Sequence, residues 1–379
     1  MARLIIVFFF FLLSLLCVFR APAYLLWYVS ILVTEFPWIF ITVMIILLAW
    51  GLKVERFRTM SNVVNIVSLA LFLAPVISSY YISATLSQKL TSAFNDGVND
   101  GAKPFSFLQM ITGIGAEQAS YTTMYYTIAK DSSQTLDFYA AKQTGKRPCV
   151  IVVHGGSWSG GDSKQLPELN TVLVKAGYNV ATINYRLAPQ HISPAPVEDV
   201  RSTLIYLRAH AGELNIDTNN FVLIGRSAGG QIALSAAYTL HDAGIKGVVS
   251  FYGPTDMVYG YHHPASPLVL DTKDVMVKYL GGTYEQVPQN YVTSSAINYV
   301  TGQGPATLLI HGGNDPLVSP RNSSELNAKL QEYGVKHFYL SLPLATHGCD
   351  YTLNGPSGQL TTYAVMRFIA DVTKADRHL

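Results

Sequence analysis

The sequence predicts an α/β protein, with a mostly parallel central sheet flanked by helices, preceded by a helical region embedded in a membrane. Three observations carry this. From Tyr121 onward, short apolar runs alternate with helix-like stretches, the pattern of a parallel sheet covered on both faces. One run, Phe221-Val222-Leu223-Ile224, ends in Gly225-Arg226-Ser227-Ala228-Gly229 and leads directly into the helix-like residues 231–237. The first 88 residues contain three long apolar stretches. They concentrate a composition in which 49% of residues are hydrophobic and only 13% charged.

In chain order, residues 4–19 and 24–50 are apolar, the second interrupted by Glu35 and Pro37, and residues 63–86 form a third apolar stretch without charge. A spanning helix needs about 20 apolar residues, so residues 1–88 read as about three spans. The first could instead be a secretory signal, since Arg3 precedes an apolar core, but no convincing small-residue cleavage site lies near Arg20. Lys53, Arg56 and Arg58 lie between the second and third stretches. By the positive-inside bias, this side and the amino terminus are cytoplasmic, and everything after Leu86 faces away from the cytoplasm. Residues 89–115 read as a linker containing Asn95-Asp96-Gly97 and Asn99-Asp100-Gly101.

The α/β domain then occupies residues 116–379. Residues 121–128 and 135–141 suggest a hairpin. Strands follow at 150–153, 180–184, 221–224, 247–251, 307–310 and 337–340, with helices near 165–176, 196–210, 230–242, 320–333 and 360–373. Residues 258–300, rich in Tyr, His and Pro, interrupt the alternation and read as a cap. The net charge of +2 gives no sign of a nucleic-acid partner, and three cysteines define no disulfide framework.

The candidate chemistry begins at Ser227. A serine at the apex of a tight strand-to-helix turn has a strained backbone and a hydroxyl lifted clear of the sheet, and the small residues at 225 and 229 let strand and helix pass closely. Such a serine needs a base and a group that orients the base. Asp315 follows the strand-like Ala306–Gly313 run, and His347 lies in a loop after the last strand. Asp256, after another strand, is a rival acid, and His311 a rival base that fits a structural strand-end role better. The run His154-Gly155-Gly156-Ser157-Trp158 ends an earlier strand. Its glycine amides, from Gly155 and Gly156, together with the amide of Ala228, would form an oxyanion hole, while His154 shapes the loop. Cys349 reads as a packed thiol. Glu198 and Asp199 read as helix caps or an anchor for Arg186, and His262-His263 as part of a surface loop over the site.

The ordered set HGGSW, NYRLAP (Asn184 to Pro189), GRSAGG, GGNDPLV and THG resembles the α/β-hydrolases, nearest to carboxylesterases with an HGG oxyanion loop of the hormone-sensitive-lipase and feruloyl-esterase-like groups. The resemblance covers residues 121–372. It implies the α/β-hydrolase fold, with Ser227 as nucleophile, Asp315 as orienting acid and His347 as base. Ser157-Trp158 stands where many relatives have a third glycine. The expected function is a membrane-anchored serine esterase working through an acyl-enzyme, with no metal or cofactor, on a small-molecule or lipid ester. The alternatives are a serine peptidase and a non-catalytic membrane adaptor that retains the fold.

Overall fold

The computed structural model describes residues 1–51, 57–94, 102–113, 118–127 and 133–374. Lys53, Arg56 and the two Asn-Asp-Gly turns of the expected linker lie outside these residues. The α/β domain is built on one eight-stranded sheet: β1 (Thr122–Thr127), β2 (Gln134–Tyr139), β3 (Arg147–Val153), β4 (Asn179–Ile183), β5 (Ile216–Arg226), β6 (Ile245–Phe251), β7 (Ala306–Gly312) and β8 (His337–Leu342). The order across the sheet is β1-β2-β4-β3-β5-β6-β7-β8. The β1–β2 and β2–β4 pairs are antiparallel and the remaining pairs parallel.

The two-residue period of a strand sends successive side chains to opposite faces, and here both faces are buried. Along β5, Phe221 and Leu223 enter one core layer while Val222 and Ile224 enter the other. Along β3, Cys149, Ile151 and Val153 oppose Val150 and Val152 in the same way. This explains why the strands read as continuous apolar runs rather than alternating ones.

Thirteen α-helices are present among the described residues. α1 (Ala2–Ser14), α2 (Tyr24–Glu35), α3 (Pro37–Trp50), α4 (Arg58–Phe94) and α5 (Phe107–Thr112) precede the sheet. α6 (Glu168–Lys175), α7 (Ala195–Ala209) and α8 (Ala228–Thr239) alternate with its strands, and α9 (Met257–His262), α10 (Thr272–Leu280) and α11 (Pro288–Ser294) fill the insertion between β6 and β7. α12 (Arg321–Glu332) and α13 (Pro356–Thr373) complete the chain. α8 is buried on every side and lies close against the sheet. A Cβ on Gly230 would lie 2.8 Å from Ser250 Oγ, so only a glycine lets helix and sheet close up at this point.

The apolar amino terminus differs from three straight spans. Pro37 cannot donate a backbone hydrogen bond, and the 24–50 stretch breaks there into α2 and α3, bent by 80°. α1, α3 and the first part of α4 pack together around Val7, Met44, Leu47 and Phe72. At 13 and 14 residues, α1 and α3 are roughly 20 Å long by helical rise, short of the ~30 Å hydrocarbon core. α4 alone among the described helices is long and apolar enough to cross. Arg3 at the start of α1 donates from Nε to Leu47 O (2.9 Å) at the end of α3, and from its guanidinium to Asn62 in the first turns of α4. The outer faces of this bundle stay apolar, with Ile5, Phe9, Ile46 and Val63 all more than half exposed.

The packing also moves the expected domain boundary. The carboxyl half of α4 is part of the α/β domain: Val76, Leu86, Leu90 and Phe94 are buried in the same layer as α13 and the sheet. The Phe94 ring lies 5.2 Å from Phe368, and the Arg367 guanidinium bonds Ser87 Oγ at 3.3 Å and Thr91 Oγ1 at 3.0 Å. Long helices with a mean apolar character look alike in sequence whether lipid or a sheet covers them, which is why the boundary at 88 was not legible. Phe94→Ala should remove this docking contact and lower stability by about 3–5 kcal/mol. Denaturant unfolding of the whole chain in detergent measures it, and a change under about 0.5 kcal/mol would show that α4 does not dock.

Candidate active site

The site lies at the carboxyl edge of the parallel strands, where loops from β3, β5, β7 and β8 meet, the usual position for ligands in open α/β sheets. Ser227 follows β5 and caps α8 with φ 52° and ψ −120°. A non-glycine residue at positive φ is costly, and it is held here because the backbone on both sides is locked. Ser227 N–H donates to Phe251 O (2.9 Å), and Gly230 N–H donates to Ser227 O (2.8 Å). Gly225 and Gly229 make the turn possible. A Cβ at 225 would sit 2.0 Å from Gly229 O, and one at 229 would sit 2.2 Å from Val153 O.

The structure brings Ser227, His347 and Asp315 into one hydrogen-bonded line. Ser227 Oγ lies 3.0 Å from His347 Nε2, and His347 Nδ1 lies 2.6 Å from Asp315 Oδ2. With Asp315 ionised, Nδ1 carries the proton and Nε2 is left to accept from the serine. The other oxygen of Asp315 accepts the backbone N–H groups of Leu317 (2.8 Å) and Val318 (2.9 Å). His311 supports the acid from behind. Its Nε2 stands 3.2 Å from Asp315 Oδ2 and its Nδ1 lies 2.7 Å from Ser323 Oγ. Burial alone would raise the Asp315 carboxyl, but His347 and His311 outweigh it and hold the group well below the usual carboxylate range. The rival Asp256 instead caps α9, accepting Tyr259 N–H at 2.9 Å.

The 154–158 loop reaches the serine, with one difference from expectation. Gly155 N–H already donates to Gln165 Oε1 at 2.7 Å, so it is not a free donor. The physical reason is that the loop turns after Gly155: Gly156 takes φ +124°, and Ser157 and Trp158 take φ 55° and 58°. Among the described residues, the amides of Gly156, Ser157 and Ala228 are directed to no protein acceptor, and Ser157 and Ala228 border the same cavity as Ser227. His154 lies in the loop wall. Its Nδ1 meets Gly155 O at 2.7 Å, its ring stacks on Tyr185 at 4.2 Å, and burial lowers its basicity.

Further contacts, most of them to residues outside the sequence motifs, hold the site together. Trp158 stacks flat on Tyr279 of the cap (4.4 Å, 5°), and both donate to Gln231 Oε1, at 3.0 and 3.1 Å. One buried amide in α8 thereby ties the 154–158 loop to the insertion between β6 and β7. Behind His347, the Tyr252 ring lies 4.3 Å away, and Tyr252 and Arg226 both bond the Asp350 carboxylate. From the front, Trp27 of α2 donates Nε1–H to His347 O at 2.9 Å and sets its ring 5.9 Å from the imidazole. Ser30 Oγ reaches Thr346 Oγ1 at 3.2 Å. Glu35, which merely interrupts an apolar run in the sequence, accepts Gly358 N–H (3.3 Å) at the positive end of α13.

The remaining candidates lie elsewhere. Asp199 accepts Arg186 N and Nε, each at 2.8 Å, and so anchors the NYRLAP turn. Cys149 and Cys349 are buried, and burial pushes both thiols up, away from reactivity. His263 stacks on Tyr259 at 4.3 Å, and His262 lies edge-on to Tyr261 and Tyr284.

Asp315→Asn should preserve the shape but favour the wrong imidazole tautomer, reducing ester turnover on the order of 10⁴-fold. Asp256→Asn should remove only a cap. Steady-state rates of both variants separate the two acids, and a larger loss at Asp256 would reverse the assignment.

Comparison with known proteins agrees with this architecture. The chain is similar to a probable carboxylic ester hydrolase of Mycobacterium tuberculosis, LipM (27% identity over 242 residues, 60% of this chain and 55% of LipM). It is also similar to the esterase LipC of the same organism (28% over 261 residues, 65% of this chain and 64% of LipC). The chain thus spans between about half and two thirds of the length of these relatives. Among solved structures, a truncated carbohydrate esterase from gut microbiota superposes with a TM-score of 0.57 at 24% identity, covering 69% of this chain and 100% of that one. A Thermogutta terrifontis esterase, Est2, gives 0.54 at 18% identity, covering 66% of this chain and 92% of its own. At these identities the likeness establishes the fold. The BD-FAE family pattern matches residues 136–330, a little over half of the 379-residue chain. The chain belongs to the BD-FAE family.

Proposed function

We propose that this protein is a serine carboxylic ester hydrolase held at a membrane by its amino-terminal helices. The observation that carries the reading is the unbroken line from Asp315 through His347 to Ser227, with unoccupied backbone amides beside the serine. Ser227 Oγ attacks the ester carbonyl as its proton passes to His347 Nε2. The carbonyl oxygen becomes negative and is met by the amides of Gly156, Ser157 and Ala228. The carbon–alkoxy bond then breaks, and the alkoxy oxygen takes the proton from Nε2. Water attacks the resulting acyl-enzyme by the same route in reverse and frees the acid and the serine. Asp315, fixed by two amides and His311, keeps the imidazole in the tautomer these steps need. The esterase relatives support ester chemistry for the chain.

The membrane part of the reading is supported by α4, with its apolar amino half, and by the exposed apolar surface of α1 and α3. The end of this bundle far from the active site carries Arg3 and Arg58, and the positive-inside bias would keep that end cytoplasmic and turn the hydrolase domain outward. Ser227→Ala should reduce hydrolysis of short p-nitrophenyl esters by on the order of 10⁴ to 10⁶ while leaving the fold intact. Retained turnover in a folded variant would refute the assignment. Extraction of membranes at alkaline pH should leave the whole chain in the pellet, and protease added to sealed cells should remove the domain. Release into the supernatant, or full protection until lysis, would contradict the anchor or its orientation respectively.

A further inference from the structure

The cleft at Ser227 has two arms of very different size. One, with a volume of about 60 Å³, runs under the cap past Trp158, Ala228, Pro254 and Met276. The other, about 520 Å³, opens toward the amino-terminal region and is lined by Tyr24, Trp27, Tyr28, Ile31 and Tyr351. Ser227 borders both, but His347 borders only the wide arm. Under the esterase reading, on which this inference rests, the departing alkoxy oxygen must receive its proton from His347 Nε2. The alcohol half of the ester therefore lies on the His347 side and the acyl half on the other. The arm on the acyl side is the much smaller of the two, which suits a short acyl chain rather than a long one.

We infer that α2 forms the leaving-group subsite of the enzyme, and that its substrates are short-acyl esters of bulky, ring-bearing alcohols. Tyr24, Trp27 and Tyr28 make a continuous aromatic wall. Trp27 and Tyr28 rings lie 4.6 Å apart, Tyr24 and Tyr28 rings 5.2 Å apart, and the two phenol oxygens 3.0 Å apart. Flat aromatic faces bind flat or ring-shaped apolar surfaces at small entropic cost. The wall is fixed relative to the serine, not loosely appended. Besides the Trp27, Ser30 and Glu35 bonds, Tyr24 N–H donates to Leu268 O of the cap insertion (2.9 Å) and Arg20 Nη2 to Gly313 O (3.3 Å). Tyr24 and Tyr28 remain 44% and 45% exposed, so their rings are open to a ligand.

The test uses the whole chain and two ester series. With the acyl group held as acetate, ethyl acetate is compared with 2-(2-naphthyl)ethyl acetate, whose alcohols have similar acidity. The kcat/KM ratio should favour the naphthyl ester and fall about 3- to 10-fold in Tyr28→Ala, the value of one aromatic contact. Tyr24→Ala provides the same readout should the first variant fail to fold. With p-nitrophenol held constant, acetate should exceed octanoate, and the tyrosine variants should leave that acyl preference in place while Met276→Ala relaxes it. An unchanged naphthyl-to-ethyl ratio in both tyrosine variants, or a shift in acyl preference instead, overturns the inference while leaving the esterase reading intact. Absence of any Ser227-dependent hydrolysis removes the esterase reading, and the inference with it.

Discussion

His347 is held from four directions, and the rest of the site depends on that. Asp315 binds one imidazole nitrogen and Ser227 meets the other. Tyr252 covers a ring face from the sheet side, and Trp27 fixes the backbone carbonyl from the amino-terminal side. A histidine on a loop would otherwise sample many rotamers, and proton transfer tolerates little misplacement. Each restraint comes from a different part of the chain: the loop after β7, the elbow after β5, the end of β6, and α2. The parallel sheet matters because it delivers the carboxyl ends of these strands to one edge.

The same geometry explains why buried charge is tolerated here. Asp315 is fully enclosed, yet two amides and two histidines surround it, so its ionised form is favoured despite burial. Arg226 is enclosed next to Ser227 and is matched by Asp350, which also accepts from Tyr252. That pair links Arg226, next to Ser227, to Asp350, three residues after His347, and so couples the elbow to the histidine loop. The amino-terminal helices join the same network through Trp27, Ser30 and Glu35. An apolar region that could have been a tether is thereby also a wall of the cleft.

Much of this was legible in the sequence because the chemistry restricts which residues can stand where. An elbow needs small residues at 225 and 229, and their clashes with Gly229 O and Val153 O show why. Strand ends could be read from apolar runs, which placed Ser227, Asp315 and His347 at one edge. Gly155 was misjudged as a donor because its amide is satisfied by Gln165, ten residues on, and no local pattern announces a side chain that returns to a loop. Trp158, Gln231 and Tyr279 form their stack across 121 residues of chain, so only the folded structure assembles it. Hydropathy reads three spans, whereas among the described helices α4 alone is long and apolar enough to cross, because hydropathy does not report where an apolar stretch breaks into short helices. Pro37 was visible, but the 80° turn it produces, and the docking of α2 onto His347 that follows, were not.

The proposed chemistry requires Ser227 to be a nucleophile activated by His347. The most direct measurement is to treat the intact protein with a fluorophosphonate and locate the adduct by peptide mass spectrometry. A single stoichiometric adduct on Ser227 is expected, formed far more slowly once His347 is replaced by alanine. An unmodified Ser227, an adduct on another residue, or labelling at the same rate without His347 would contradict it.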